Sequence, residues 1–293
     1  MGHPPAWLQG LFAVMPTPMK GGGELDLESL DRLVDHYLDG GCAGLVPASI
    51  AGEGDLLDAA ERTQVISRVV ERARGRAPVI VGILDDDLAT ALASARVAAD
   101  CGAGALLVKP PTGGDAAVLA HLDGIARALH LPIVLLDNPK FGGTLSPALV
   151  AELARAIPEV CAIKLEDEPT AAKMRAVRAL AGPGVRIFGG LGGIHCLSEL
   201  ESGADGFFTG FPQPEHLLAV MDCMRRGAPD AAAAAYRHLL PQAERERANA
   251  AAMIVQRKLF LRDAGVLREA VSRTGAGATA HRDAQGSAAP GKD

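Results

Sequence analysis

The feature that most constrains this chain is a repeated pairing of short apolar runs with longer amphipathic stretches. The apolar runs lie at 12–17, 44–48, 79–82, 105–109, 133–137, 160–165, 186–189 and 206–209. They are apolar throughout rather than alternating, as strands of a parallel sheet covered on both faces must be. Between them, 27–38, 59–73, 88–100 and 116–129 carry the helical period. In the first of these, Leu30, Leu33, Val34, Tyr37 and Leu38 fall on one face at i, i+3, i+4 spacing. Eight such units in regular succession predict an α/β fold of the closed (β/α)8 type, a TIM barrel, over an open doubly wound sheet. No G-x-G-x-x-G follows the first run to support the open sheet. The pairs Gly189–Gly190 and Gly192–Gly193 come after the seventh run, too late for a dinucleotide fingerprint. They read equally as a tight turn or as a place where backbone approaches a ligand or small anion.

The same reading divides the chain. Residues 1–212 supply the barrel strands and the first seven helices. Residues 213–270 supply C-terminal helices, expected at 215–225, 230–240 and 244–267, that complete and cover the barrel. Residues 271–293 are rich in Gly, Ala, Ser and charge and are expected to be a disordered tail. Hydrophobic residues make up 48% of the chain but aromatics only 3%, so the core is expected to be built from Ala, Val, Leu and Ile. A net charge of -6 gives no long-range attraction to phosphate backbones and argues against a nucleic-acid partner. Cys42, Cys101, Cys161, Cys196 and Cys223 are scattered, with no C-x-x-C pair, the pattern of reduced cytoplasmic thiols rather than a zinc site or a disulfide framework. No run reaches the roughly 18 apolar residues of a membrane span, so a soluble cytoplasmic protein is expected.

In such a barrel the site lies at the C-terminal ends of the strands. That rule selects Thr17, Ser49, Asp85, Lys109, Asp137, Lys164 with Glu166, Gly189 and Thr209. The two lysines stand out, because Lys164 ends Val-Cys-Ala-Ile-Lys and Lys109 ends Ala-Leu-Leu-Val-Lys. Desolvation disfavours an ammonium, so a lysine in an apolar barrel mouth is biased toward the neutral amine. A neutral amine attacks a ketone to form an imine, an electron sink for carbon-carbon or carbon-oxygen cleavage. The competing reading is a rim salt bridge with Glu166 or Asp137. In the run Asp85-Asp86-Asp87, helix capping near Leu88 is favoured over a Mg2+ site. His195 reads as a helix-start or surface histidine.

Several segments together resemble one family. They are Met15-Pro-Thr-Pro, Gly41-Cys-Ala-Gly-Leu-Val-Pro leading to Gly52-Glu53, Ala59-Ala-Glu-Arg, Cys101-Gly-Ala-Gly-Ala-Leu-Leu-Val-Lys-Pro-Pro, Leu131-Pro-Ile-Val, Ile163-Lys164 and Gly203-Ala-Asp-Gly. In order and spacing, from about Leu11 to Leu267, the chain resembles the dihydrodipicolinate synthase and N-acetylneuraminate lyase family, the pyruvate-type class I aldolases. The resemblance implies a Schiff-base-forming lyase, aldolase or dehydratase, acting on pyruvate or a related 2-oxo acid such as a 2-keto-3-deoxy sugar acid, with no cofactor and no metal. Lys164 matches the Schiff-base lysine. The amides of Ile50 and Ala51 are expected to hold the C1 carboxylate, with Ser49 supplying a hydroxyl and Gly189 and Gly190 leaving room beside the imine. Lys109, Asp137 and Thr209 are expected to contact substrate.

The departures are as specific. Ser49-Ile50-Ala51 replaces the family's Gly-Thr-Thr, its proton-shuttling tyrosine falls on Leu136, and the arginine that follows is missing, although Lys140 lies close by. Lys109 stands where a small apolar residue is usual. These changes speak against dihydrodipicolinate synthase proper and leave Ser49, Lys109, Asp137 or a water as the proton route. Two alternatives stay open: a metal-dependent lyase using Asp85, Glu53, Asp137 or Glu166, and a barrel that binds a 2-oxo acid without turnover. Resemblance also implies a homotetramer built as a dimer of dimers. The loop Pro110-Pro111-Thr112-Gly113-Gly114 lacks the tyrosine that family members share across the interface.

Overall fold

The computed structural model describes residues 3–249 and 252–274. Its strands are β1 (Gly10–Val14), β2 (Gly44–Val46), β3 (Ile80–Ile83), β4 (Ala105–Val108), β5 (Ile133–Asp137), β6 (Val160–Leu165), β7 (Arg186–Gly189) and β8 (Gly206–Thr209). They alternate with helices α1 (Leu27–Asp39), α2 (Ala59–Ala73), α3 (Leu88–Asp100), α4 (Asp115–Leu129), α5 (Pro147–Ala156), α6 (Thr170–Ala181) and α7 (Cys196–Glu201). After β8 come α8 (Pro214–Arg225), α9 (Pro229–Ala248) and α10 (Met253–Asp263). The parallel strands pair in the order β2-β1-β8-β7-β6-β5-β4-β3, and a parallel bridge between Leu45 and Val79 brings β2 to β3. The fold is therefore a TIM barrel with a helical C-terminal part.

Side chains alternate faces along a strand, and here each face has its own apolar layer. Phe12, Val134, Leu136, Ala162, Phe188 and Phe208 belong to the cluster that fills the barrel. Ala13, Leu135, Ile163, Ile187 and Phe207 belong to the larger cluster between the strands and the helices. Both faces being buried is the reason the strands are continuously apolar. The interior departs from the aliphatic core expected from composition. Phe12 stacks on Phe208 at 4.9 Å, and Phe188 meets both edge-on at 5.7 and 4.8 Å. Few aromatics suffice when three converge in one layer.

Helix starts are set by side-chain caps. Asp26, Asp58, Asp87 and Ser146 each accept an amide of the first turn, and Asp58 forms a capping box with Glu61. Each such cap contributes about 1 kcal/mol. Asp87 thus caps α3, as the acidic run suggested.

The C-terminal region differs from expectation at two points. A break was expected between Leu240 and Glu244, yet α9 continues through Pro241 to Ala248. Proline there forfeits one intrahelical hydrogen bond, and burial of Leu239, Ala243 and Glu246 on either side holds the helix across it. The final helix, expected from 244 to 267, is instead interrupted where Asn249 Oδ1 accepts the amide of Ala252, a local bond that competes with the helix. The tail expected to be disordered from residue 271 is anchored at its start. Ser272 is buried, and Arg273 binds Glu61 and the carbonyls of Leu56 and Gly23. The rest of that tail, residues 275–293, lies outside the described residues. Among the described residues no helix is long and apolar enough to cross a membrane.

Candidate active site

Lys164 is the fifth residue of β6 and shares the inward face with Ala162. Its register partners are Leu136 on β5 and Phe188 on β7, so its stem passes between two apolar side chains of the barrel interior. Its side chain is only 12% exposed, and Nζ lies 3.2 Å from Oε1 of Glu166. Residues two apart on a strand face the same way, which is why Glu166 follows its lysine into the mouth.

Glu166 is held by donors alone. Asn138 Nδ2 donates to Oε2 at 2.7 Å, and the Leu191 amide donates to Oε1 at 3.0 Å. Burial pushes this carboxyl up, but Lys164, Asn138 and the Leu191 amide outweigh it and hold it below the usual glutamate value. The group beside the amine is therefore a fixed carboxylate. A Cβ at Gly190 would collide with Glu166, so this glycine makes room for the carboxylate rather than for a ligand.

The loop after β2 provides a second cluster. Ser49 precedes a 3-10 turn, Ile50–Gly52, and its carbonyl accepts the amides of Gly52 and Gly54. The amides of Ile50 and Ala51 head that turn, and both residues pack against the barrel-filling cluster that contains Leu136 and Phe188. Ser49 Oγ is buried without a hydrogen-bond partner among the described residues. A buried, unsatisfied hydroxyl costs about 1–3 kcal/mol, a cost that an incoming acceptor relieves. Thr17 Oγ1 donates to the Gly52 carbonyl at 2.5 Å, and Arg62 donates to the carbonyls of Ala48, Gly54 and Gly82. The loop is thus fixed from several sides.

Lys109 also faces inward. Val108 pairs with Leu135 and Leu136 with Lys164, so Lys109, Leu136 and Lys164 stand at one level on three successive strands. The Lys109 ammonium binds Asp86 and is 14% exposed.

Three residues expected to contact substrate are turned away. Asp137 is fully buried on the outer wall, where Lys173 of α6 approaches within 2.7 Å and the Leu145 amide donates at 2.8 Å. Burial raises its carboxyl despite both partners. Thr209 shares the outward face of β8 with Phe207, and its register partner Ala13 belongs to the outer cluster. Gly189 likewise faces outward, where a Cβ would strike Glu199 and the Phe207 ring. In each case period-2 alternation places a strand-end residue under the helices. His195 sits at the N-cap of α7 and reaches Glu168 at 2.5 Å.

The carboxylates of the metal alternative do not converge. Glu53 binds Lys258, Asp137 faces Lys173, and Glu166 faces Lys164. Among the described residues no three His, Cys, Asp or Glu side chains are grouped to hold a metal. Sequence reasoning named Glu166 only as a salt-bridge or metal partner and missed Asn138. The Lys-x-Glu spacing on a strand was the available signal for the first, and the shared inward parity with Leu136 for the second.

Comparison with known proteins agrees with this fold. A sequence model of the dihydrodipicolinate synthetase family matches residues 7–284. The chain is 30% identical to an L-2-keto-3-deoxyarabonate dehydratase of Azospirillum brasilense, over 88% of this chain and 85% of that one. It is 34% identical to a 4-hydroxy-tetrahydrodipicolinate synthase of Stenotrophomonas maltophilia, over 69% and 68%. The crystal structure of a dihydrodipicolinate synthase from Rhodopseudomonas palustris superposes with a TM-score of 0.87 at 28% identity, covering 98% of this chain and 99% of that one. With its family model spanning the whole barrel and the C-terminal helices, the chain belongs to the dihydrodipicolinate synthetase family.

Proposed function

We propose that Lys164 forms an imine with C2 of a 2-oxo acid and that Glu166 carries the protons of the cleavage that follows. The enzyme is a lyase of the Schiff-base class, consistent with its family and its dehydratase relative. The observation that carries the residue assignment is the pairing itself: an inward lysine at the tip of β6, 3.2 Å from a carboxylate that three donors keep ionised.

Lys164 releases a proton to solvent, the neutral amine adds to C2, and loss of water with return of one proton leaves a cationic imine. That cation keeps Glu166 paired with a positive charge until a proton moves between them. The C1 carboxylate is received by the amides of Ile50 and Ala51, with the free hydroxyl of Ser49 as a third donor. For a 2-keto-3-deoxy sugar acid, Glu166 takes a proton from C3 to give the enamine. Electrons then return to expel the C4 hydroxyl, which leaves as water with the proton from Glu166. Hydrolysis of the remaining imine frees Lys164. A glutamate adjacent to the lysine makes a tyrosine at Leu136 dispensable, because the proton carrier has moved to the lysine's own strand. The dehydratase relative supports this arm over aldol cleavage. Lys109 with Asp86, one strand beyond Leu136, would meet the distal hydroxyls. The family also supports a homo-oligomer acting in the cytoplasm, testable by light scattering of the full chain.

The test is intact mass after pyruvate and sodium borohydride, which adds hydride to C2 of the imine and fixes a secondary amine. A pyruvyl adduct on the parent chain and none on Lys164→Ala is expected. Absence of an adduct with pyruvate and with longer 2-oxo acids would refute the proposal.

A further inference from the structure

The turn offered above as the carboxylate receptor is clamped from behind by the last described helix. Glu53 follows that turn directly, in the left-handed region at φ +58°, between the 3-10 turns Ile50–Gly52 and Gly54–Leu56. A non-glycine residue held there is strained and persists only where its surroundings dictate it. Those surroundings are C-terminal. Lys258 of α10 binds Glu53 Oε2, and both side chains are fully buried. The other oxygen, Oε1, accepts from Ser272 Oγ and from the Arg273 amide, each at 2.7 Å. Lys258 Nζ in turn donates to the Val271 carbonyl at 2.7 Å. The neighbouring residue does the same for another part of the mouth. Arg257 binds Glu246 of α9 through two bonds of 3.0 and 2.7 Å. That pair lies against the loops after β7 and β8, since a Cβ at Gly192 would touch Glu246 and one at Gly210 would collide with Arg257. Two adjacent cations of one helix thus hold carboxylates that brace different strand-end loops.

We propose that Lys258 is a positioning residue for the active site: through Glu53 it fixes the Ile50–Ala51 amides at the point where a substrate carboxylate docks. The inference rests on the carboxylate role given to those amides above. It goes beyond that role by making the C-terminal helix part of the binding machinery. A buried ion pair is weak evidence for stability alone, because apolar replacements of both partners often hold the fold as well. Its use here is directional: a salt bridge and two hydrogen bonds on one carboxylate fix the turn's orientation, which packing of an aliphatic pair would not.

The test compares two ketones that differ only in the group this turn receives. Pyruvate carries the carboxylate, and acetone replaces it with a methyl. Both are trapped on Lys164 with borohydride in the full chain, in Glu53→Gln, and in the Lys258→Met/Glu53→Leu double variant, which leaves no buried charge unpaired. The expected result is a rise of about tenfold or more in the pyruvate concentration giving half-maximal adduct, as for loss of a charge-assisted hydrogen bond. The acetone adduct should keep its parent concentration dependence, within about twofold. A merely structural role would weaken both ketones alike, and that outcome overturns the inference. Unchanged pyruvate dependence in both variants overturns it as well. No adduct with either ketone on the parent chain would instead refute the imine itself, and the positioning role with it.

Discussion

Glu166→Gln separates the proposed proton carrier from the proposed imine. In the parent, three groups converge on the Glu166 carboxyl, and Asn138 Nδ2 and the Leu191 amide are obligate donors. The third, Lys164, is a donor when charged and an acceptor when neutral. A glutamine satisfies two donors poorly, since one of its termini is itself a donor, but its amide hydrogen suits a neutral amine. The substitution therefore leaves Lys164 able to add to C2 while removing the carboxylate that the described residues place at its side. A positioned acid-base group is worth about 10^2–10^4 in rate, or roughly 3–5 kcal/mol of barrel-mouth stabilisation of the transition state. The expectation is a fall of that size in kcat for a 2-keto-3-deoxy sugar acid, read as substrate mass lost as water. The yield of borohydride-trapped pyruvate should stay within a few-fold of the parent. Turnover within about threefold of the parent would refute the assignment and return the proton to another group. So would loss of adduct and turnover together, which would make Glu166 a partner of imine formation rather than of cleavage. The pH dependence points the same way. A carboxyl held below its ordinary value stays ionised through the ordinary glutamate range, so the acid limb of Glu166 belongs below that range. Any stability it contributes is present above that range and is lost as the pH falls through its lowered value.

Three further outcomes follow from the same geometry. Lys173→Met strands Asp137 as an unpaired buried charge, so urea unfolding should show a loss of about 3–5 kcal/mol with pyruvate trapping intact; a loss under about 1 kcal/mol would contradict the outward placement of Asp137. Gly190→Ala drives a methyl into Glu166, so turnover should fall at least tenfold, and unchanged turnover would show that the carboxylate is not held where the structure puts it. Glu199 is raised to about 7, first by burial and then by the charges of Glu166 and Glu168, with Thr170 opposing. The folded carboxyl therefore keeps a proton that the unfolded chain releases, and stability falls as pH rises from the ordinary glutamate range to about 7. Glu199→Gln should be more stable than the parent by about 3 kcal/mol at pH 8 and equal to it at pH 4; a constant difference at both pH values would refute the buried-acid account.

The barrel was legible because its determinants are local. Residues 59–73 and 88–100 are helical to the residue expected, and the reason is chemical: Asp58 and Asp87 cap those starts, a signal written in the residue beside the helix. The strands at 133–137, 160–165, 186–189 and 206–209 are equally well marked by uninterrupted apolar runs. The site was legible only in part, because strand ends were sorted by position along the barrel axis and not by face. Asp137, Gly189 and Thr209 end their strands, and Lys164 and Lys109 lie within one residue of the ends of theirs, but on the opposite parity. Which parity faces inward depends on the register between strands, a non-local quantity: Leu136 opposite Lys164 fixes Asp137 outward. The partners that give the outward groups their meaning, Lys173 for Asp137 and Lys258 for Glu53, come from helices whose docking no motif announces.

That distinction explains how the chain can depart from its family's residues without losing the logic of the site. Four charged pairs lie near the mouth: Lys164 with Glu166, Lys109 with Asp86, Glu53 with Lys258, and Glu246 with Arg257. Of these pairs, Lys164–Glu166 alone joins two residues of one strand end, held against an apolar interior on either side. The two residues share one strand end, and Asn138 and the Leu191 amide from the neighbouring loops fix the carboxylate of the pair. A tyrosine carried by β5 depends instead on the register of a neighbouring strand. In the proposed mechanism the acid-base group lies two residues beyond the nucleophile, so both are placed by the end of β6. Under that proposal the loops after β2, β7 and β8 are left to read the substrate, while Lys258 and the Arg257–Glu246 pair of the C-terminal helices lie against those loops.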